Sequence, residues 1–162
     1  NGGHGCVTVN NQHMQLWGVT EQELFGQAKA NMDAADDTEV KSMAEIIREF
    51  AGDEAAEEIG VSGCSAVPMY VATNRGRLYG ASVMVDHKAM SGAARMFGGD
   101  FMILPSSVHE LILVPYSEEP DGAERLMQMV QDVNDTEVAE EEVLSCHVYR
   151  YDFRSGEISI AA

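Results

Sequence analysis

Ser106, Ser107, His109 and Glu110 lie within one short run, Pro105–Glu110, of sequence PSSVHE. Hydroxyl, imidazole and carboxylate are the groups that acyl transfer or hydrolysis calls for: a nucleophile, a base near neutral pH and an acid to orient it. Spacing limits how these could cooperate. In an extended segment successive side chains alternate faces, so Ser107 and His109 share one face and Glu110 takes the other. A catalytic Ser107–His109 pair then needs an acidic partner from another element. No GxSxG elbow is present to force a serine into a strained, exposed turn. The competing reading is structural: Ser106 and Ser107 satisfy turn amides, while His109 and Glu110 bond backbone or neighbouring side chains. The residue types favour the structural reading. Asn74, Ser106, Glu110 and Asn134 join the pair as candidate binding residues.

Other chemistry finds less support. The histidines, His4, His13, His87, His109 and His147, show no HxH, HExxH or Cys/His spacing, so no metal site is read from the sequence. Gly76, Gly80, Gly98 and Gly99 fall in neither GxGxxG nor GxxxxGK[ST]. They read as turn and cap glycines, and no cofactor is expected. Cys146 precedes His147, but strand neighbours face opposite sides and would not activate each other. Met43, Met90, Met127 and Met129 sit on or near helical apolar stripes and read as core rather than as an adaptable binding surface.

The elements that must position PSSVHE are two short apolar runs on either side of it, Phe101–Leu104 and Leu111–Val114. Each is too short for a helix and suits a buried strand, so the spacing predicts adjacent central strands. Upstream, Val7 and Val9 suggest a short strand. Thr20 with Glu23 forms a capping box that predicts a helix over about 21–32, and Ser42 with Glu45 predicts a second that stops near Gly52. The stretch between them, 33–39, reads as an acidic loop; 53–60 reads as one further helical turn and 61–68 as irregular. Met69–Thr73 and Leu78–Val85 flank Asn74-Arg75-Gly76-Arg77 and read as a hairpin. Asp86 caps a helix with Met90, Ala93, Ala94 and Phe97 on one face, ended by Gly98-Gly99. After Pro120-Asp121 comes a helix with Leu126, Met129, Val130 and Val133 as its buried stripe, broken at Asn134-Asp135. A short helix is read within Glu137–Leu144, and His147–Asp152 with Glu157–Ile160 form a last hairpin. The expected fold is α+β: a largely antiparallel sheet built from hairpins, with helices packed mainly on one face. Its expected core includes Ile47, Phe97, Ile103, Leu111, Leu113, Leu126 and Val130.

At 162 residues the chain fits a single domain, 1–162, with a core that needs no staples. It begins at Asn1-Gly2-Gly3 rather than at methionine and so reads as a trimmed piece of a longer protein. Lys and Arg number 10 against 27 Asp and Glu, a net charge of -17. Such a surface repels nucleic-acid phosphates and anionic lipids, so neither nucleic acid nor membrane is an expected partner. Cys6, Cys64 and Cys146, an odd count without CxxC, favour reduced thiols and a cytoplasmic setting.

Several stretches resemble an uncharacterised bacterial domain-of-unknown-function family, whose members come mostly from anaerobic, gut-type Gram-positive bacteria. They are Leu16-Trp17-Gly18-Val19, Val71-Ala72-Thr73-Asn74, Tyr79-Gly80-Ala81, Ile103–Glu110, Asn134–Val138, and Val143-Leu144-Ser145 with His147-Val148-Tyr149. The resemblance spans roughly Leu16–Asp152, and Pro-Ser-Ser-x-His-Glu is its most specific part. It implies no activity. Three readings therefore stand. The first is a cytoplasmic binding or regulatory domain for a protein or small-molecule ligand. The second is a hydrolase or transferase at Pro105–Glu110 helped by Asn74 or Asn134. The third is a structural module whose active part lies in a missing N-terminal region.

Overall fold

The computed structural model describes residues 7–53, 68–105, 107–118, 122–136 and 138–162. They form two compact units, Asn1–Asp36 and Asp37–Ala162.

The first unit holds two helices, α1 (Asn11–Trp17) and α2 (Glu21–Ala35). Asn10 caps α1 by accepting from the amides of Gln12 and His13 at 3.0 and 3.2 Å, and Gly18 closes it at φ +66°. The Thr20–Glu23 capping box starts α2 as expected, with Thr20 Oγ1 accepting from Glu23 N–H at 3.2 Å and Glu23 Oε2 from Thr20 N–H at 2.9 Å. Donation to that carboxylate by Thr20 N–H, and by the Thr20 hydroxyl at 2.8 Å, holds the Glu23 carboxyl below the usual carboxylate range. Residues 7–10 form no strand, which corrects the reading of Val7 and Val9.

The second unit is an antiparallel six-stranded sheet in the order β1-β2-β4-β3-β5-β6. Its strands are β1 (Thr38–Ser42), β2 (Tyr70–Asn74), β3 (Phe101–Leu104), β4 (Leu111–Pro115), β5 (Tyr149–Tyr151) and β6 (Ile158–Ile160). The helices are α3 (Met43–Ala51), α4 (His87–Phe97) and α5 (Gly122–Thr136), with 3-10 turns at Gly80–Val85 and Glu140–Glu142. The α+β class, the antiparallel sheet and the β3–β4 and β5–β6 hairpins are as expected. Helical cover is shared between the faces. Met90, Ala93 and Ala94 of α4 and Val83 of the 3-10 turn pack with Ala72, Phe101, Ile103, Leu111, Leu113 and Tyr151. Val130, Leu126 and Met127 of α5 pack on the other face with Met102, Leu104, Val114 and Val148. Both clusters draw on β3 and β4 because alternate residues of a strand serve opposite faces.

One hairpin is corrected. Leu78–Val85 is no strand, since β2 already pairs with β4 on one side and β1 on the other. With both edges of β2 filled, the chain after Asn74 turns away into the 3-10 helix. The partner strand β1 lies in what reads as loop and helix cap. Its TEVKS carries one apolar side chain, Val40, and charges at Glu39 and Lys41, the composition of an edge strand. Lys41 Nζ meets Glu49 of α3 at 2.8 Å, a bond that raises the Lys41 pKa. The predicted helix turn at 53–60 beyond Asp53, most of 61–68, and Pro120-Asp121 lie outside the described residues.

Of the expected core, Ile103, Leu111 and Leu113 are completely buried and Val130 nearly so. Ile47, Phe97 and Leu126 are only half-buried, and Met129 is exposed. The α5 stripe runs instead through Ala123, Leu126, Met127, Val130 and Asn134, a helical i, i+3, i+4 pattern that hides a polar residue in its last position. Phe97 ends α4 with its outer side open while packing on Tyr70 and Phe101, at centroid distances of 4.7 and 5.5 Å; Phe101 stacks on Tyr151 at 4.9 Å.

Asp100 closes the far end of β3. Its carboxylate accepts from Phe153 N–H at 2.9 Å and from Arg150 Nε at 3.0 Å, while the Arg150 guanidinium lies 4.2 Å from the Tyr116 ring. The Phe153 amide first, then Arg150, hold the Asp100 carboxyl below the usual range.

Two outcomes are expected. Leu113→Ala should cost ~2–5 kcal/mol in urea denaturation, the range for truncating a fully buried leucine; a loss below ~1 kcal/mol would remove the central assignment of β4. Because the folded state lowers the Asp100 pKa, its stabilisation is present above the unfolded-state value of about 3.9 and is lost as pH falls through the lower folded value. Asp100→Asn should therefore cost about 1–2 kcal/mol at neutral pH, with a flatter stability profile below about pH 4 than the parent protein. Parallel profiles for the two proteins would contradict the role given to Asp100.

Candidate functional site

PSSVHE runs between the end of β3 and the start of β4, and three other segments converge on it: the end of β2 with the turn 75–79, the 3-10 turn Gly80–Val85, and the 3-10 turn Glu140–Glu142. Backbone bonds hold them together. Ala81 N–H donates to Val108 C=O at 3.2 Å, and Val108 N–H donates to Glu142 C=O at 2.9 Å. Beneath them the buried Thr73 hydroxyl donates to His109 C=O at 2.7 Å.

Gly80 closes over this contact. A Cβ there would overlap Thr73 Oγ1, and would sit 2.5 Å from His109 O and 2.8 Å from Asn74 N. Two of those three obstacles are backbone atoms, which cannot rotate aside, so only glycine fits.

Asn74 shapes the turn. Its Oδ1 accepts from Leu78 N–H at 3.2 Å, its Nδ2 donates to Leu78 C=O at 2.9 Å, and its own C=O accepts from Arg77 N–H at 3.0 Å. Arg77 and Tyr79 adopt left-handed backbone angles, φ +50° and +53°. Leu78 and Tyr79 are left 52% exposed, and the Arg77 guanidinium lies 4.8 Å from the ring of Phe50, itself 71% exposed.

His109 is tied on every side. Its Nδ1 accepts from Tyr79 N–H at 3.1 Å, and its Nε2 lies 3.3 Å from Glu142 Oε1. A backbone N–H can only donate, so Nδ1 carries no proton and Nε2–H donates to the carboxylate. Its own N–H donates to Ser107 Oγ at 3.0 Å, and the Tyr79 ring is centred 5.6 Å away. The acidic partner that a catalytic histidine needs is thus present in Glu142. The nitrogen that would face a serine, however, is occupied by Tyr79. Ser107 is engaged with backbone and not with the imidazole ring through that bond.

Of the residues singled out from the sequence, Asn74, Ser107 and His109 meet at this junction, and half-buried Glu110 follows at the entry to β4. Ser106 lies outside the described residues, as do Cys6 and Cys64. Asn134 belongs elsewhere: at the end of α5 its Nδ2 donates to Ser145 C=O at 3.1 Å and approaches Cys146 Sγ at 3.9 Å. Sequence reasoning missed Thr73, Tyr79, Gly80 and Glu142. Thr73, Tyr79 and Gly80 lie in Val71–Asn74 and Tyr79–Ala81, two stretches that the fold brings to PSSVHE, whereas nothing in the local sequence marks Glu142. Among the described residues no three His, Cys, Asp or Glu side chains converge as a metal requires, and no helix is long and apolar enough to cross a membrane.

Gly80→Ala should destabilise the protein by about 2–3 kcal/mol, the cost of forcing an added methyl into a closed contact, and chemical denaturation measures it. A change within ~0.5 kcal/mol would show that the junction is looser than described.

No curated protein and no solved structure matches the sequence. A family model described as a family of unknown function, DUF5688, matches residues 1–153. That match covers nearly the whole chain, the PSSVHE junction included, and the protein belongs to this family of unknown function.

Proposed function

We propose that the protein is a binding domain, and that the turn 75–79 is its recognition loop for a protein or small-molecule ligand. The observation that carries this reading is the contrast between backbone and side chains at Leu78 and Tyr79. Their backbone is fixed by Asn74 and His109, yet both side chains stand half in solvent. A rigid scaffold that presents apolar side chains from a loop is how recognition surfaces are commonly built. Holding Arg77 and Tyr79 in left-handed angles costs roughly 1 kcal/mol each where glycine would cost nothing, and such outliers cluster at ligand clamps. Phe50 under Arg77 extends the apolar strip.

The rival hydrolase or transferase reading at Pro105–Glu110 would require His109 to give up one of its two ring bonds before acting as a base. The other finer expectations go with the proposal. They are a regulatory role, a cytoplasmic setting supported by the odd cysteine count, and an origin in gut-type Gram-positive bacteria for the Pro-Ser-Ser-x-His-Glu segment. The net charge of -17 supports ligands other than nucleic acid.

The test is an NMR screen of the 15N-labelled protein against aromatic, aliphatic and dipeptide fragments, run beside a panel of ester, amide and phosphoester substrates. Binding fragments should move the amide signals of Leu78, Tyr79 and His109. A Leu78→Ser/Tyr79→Ser double variant should melt within a few degrees of the parent and lose those shifts. Fragments gathering on another surface, or substrate turnover abolished by His109→Asn, would overturn the reading.

A further inference from the structure

We infer that His109 is a proton-operated latch: the neutral imidazole holds the turn 75–79 in its presenting conformation, and protonation releases it. The inference rests on the binding reading for its purpose, since it describes how that loop would be regulated. Its chemistry rests on one bond, Tyr79 N–H to His109 Nδ1 at 3.1 Å.

That bond exists only while Nδ1 has a free lone pair. Once the ring takes up a proton, both nitrogens become donors, and the Nδ1 proton points at the Tyr79 N–H. The two cannot stay in contact. On the opposite side the same proton strengthens the other tie, because the Nε2–H···Glu142 hydrogen bond becomes an ion pair. Protonation therefore anchors the ring to the 3-10 turn Glu140–Glu142 as it repels the turn 75–79.

The surroundings of His109 sharpen the choice. From the turn 75–79 come the Tyr79 amide and phenol ring, and from Glu140–Glu142 the Glu142 carboxylate. From β2 come the uncharged Thr73 hydroxyl and, beside it, Asn74. Gly80–Val85 brings no titratable side chain. From its own loop come the Ser107 hydroxyl and, next in the chain, Glu110. No bond described at this ring gives the displaced Tyr79 amide another acceptor, so it must turn to water. Tyr79, with its left-handed angle, then keeps the Ser82 N–H bond to its own C=O at 3.3 Å and the neighbouring Asn74 clamp on Leu78, while its amide is freed. Histidine is the side chain that ordinarily changes charge between about pH 5 and 8, the range over which the latch is to be tested.

The 15N-labelled protein tests this directly. An N–H···N bond transmits a measurable 15N–15N coupling, here between Tyr79 N and His109 Nδ1. The coupling should be present at about pH 8 and vanish by about pH 5 as the ring nitrogens report protonation. Hydrogen exchange at the Tyr79 amide, corrected for intrinsic pH dependence, should lose about tenfold in protection over the same range. In His109→Asn the Oδ1 takes the place of Nδ1 and cannot titrate, so Tyr79 should stay protected at both ends. A coupling absent at high pH, a coupling that survives protonation of the ring, or an unchanged pH response in His109→Asn would each overturn the latch. Fragment binding at Leu78 and Tyr79 separates the two proposals. Equal affinity at both pH values defeats the latch as a regulator and leaves the binding reading standing; a working latch with no fragment bound there defeats the binding reading alone.

Discussion

Burial of β3 on both faces is the constraint from which the rest of the second unit follows. Phe101, Met102, Ile103 and Leu104 are all buried, so their backbone groups need hydrogen-bond partners. β4 and β5 supply that pairing in antiparallel register. The alternating side chains then demand cover above and below, which α4 with its 3-10 turn provides on one face and α5 on the other. Charge is displaced to the periphery, to Glu39 and Lys41 on the edge strand and to Asp100 at the strand end with Arg150.

A sheet organised this way gathers its loops at the strand ends, and one of those ends is unusually closed. Between β3 and β4 the chain is pinned to β2 by a buried hydroxyl, to the 3-10 turns by two backbone bonds, and sealed by a glycine with no room for a methyl group. The effect of that closure is carried outward. A rigid base lets the turn 75–79 hold two non-glycine residues in left-handed angles and leave apolar side chains in water, which a loose loop would fold away.

The junction also shows why a list of reactive residue types is a poor guide to chemistry. A serine, a histidine and a carboxylate do meet there, and the histidine has the acid that a catalytic imidazole requires. The ring has a further partner, a backbone amide at the nitrogen that would have to accept a proton from the serine.

Much of this was legible in the sequence because the signals are local. Thr20, Ser42 and Asp86 announce helix starts through side chains that bond amides three residues away or fewer. The apolar runs of β3 and β4, the hairpin of β5 and β6, and the α+β class follow from patterns read within a few residues. Pairing across long separations was not legible. β1 carries too little hydrophobicity to declare itself, and Leu78–Val85 has a strand's composition but no vacant edge to join, because β2 is already flanked by β1 and β4. Nor could spacing show which atoms would meet the His109 ring, since Tyr79 and Glu142 lie 30 and 33 residues away in the chain. Residue types can be read from sequence; whether an imidazole nitrogen is free or bonded depends on which distant backbone is packed against it, and only the tertiary structure decides that.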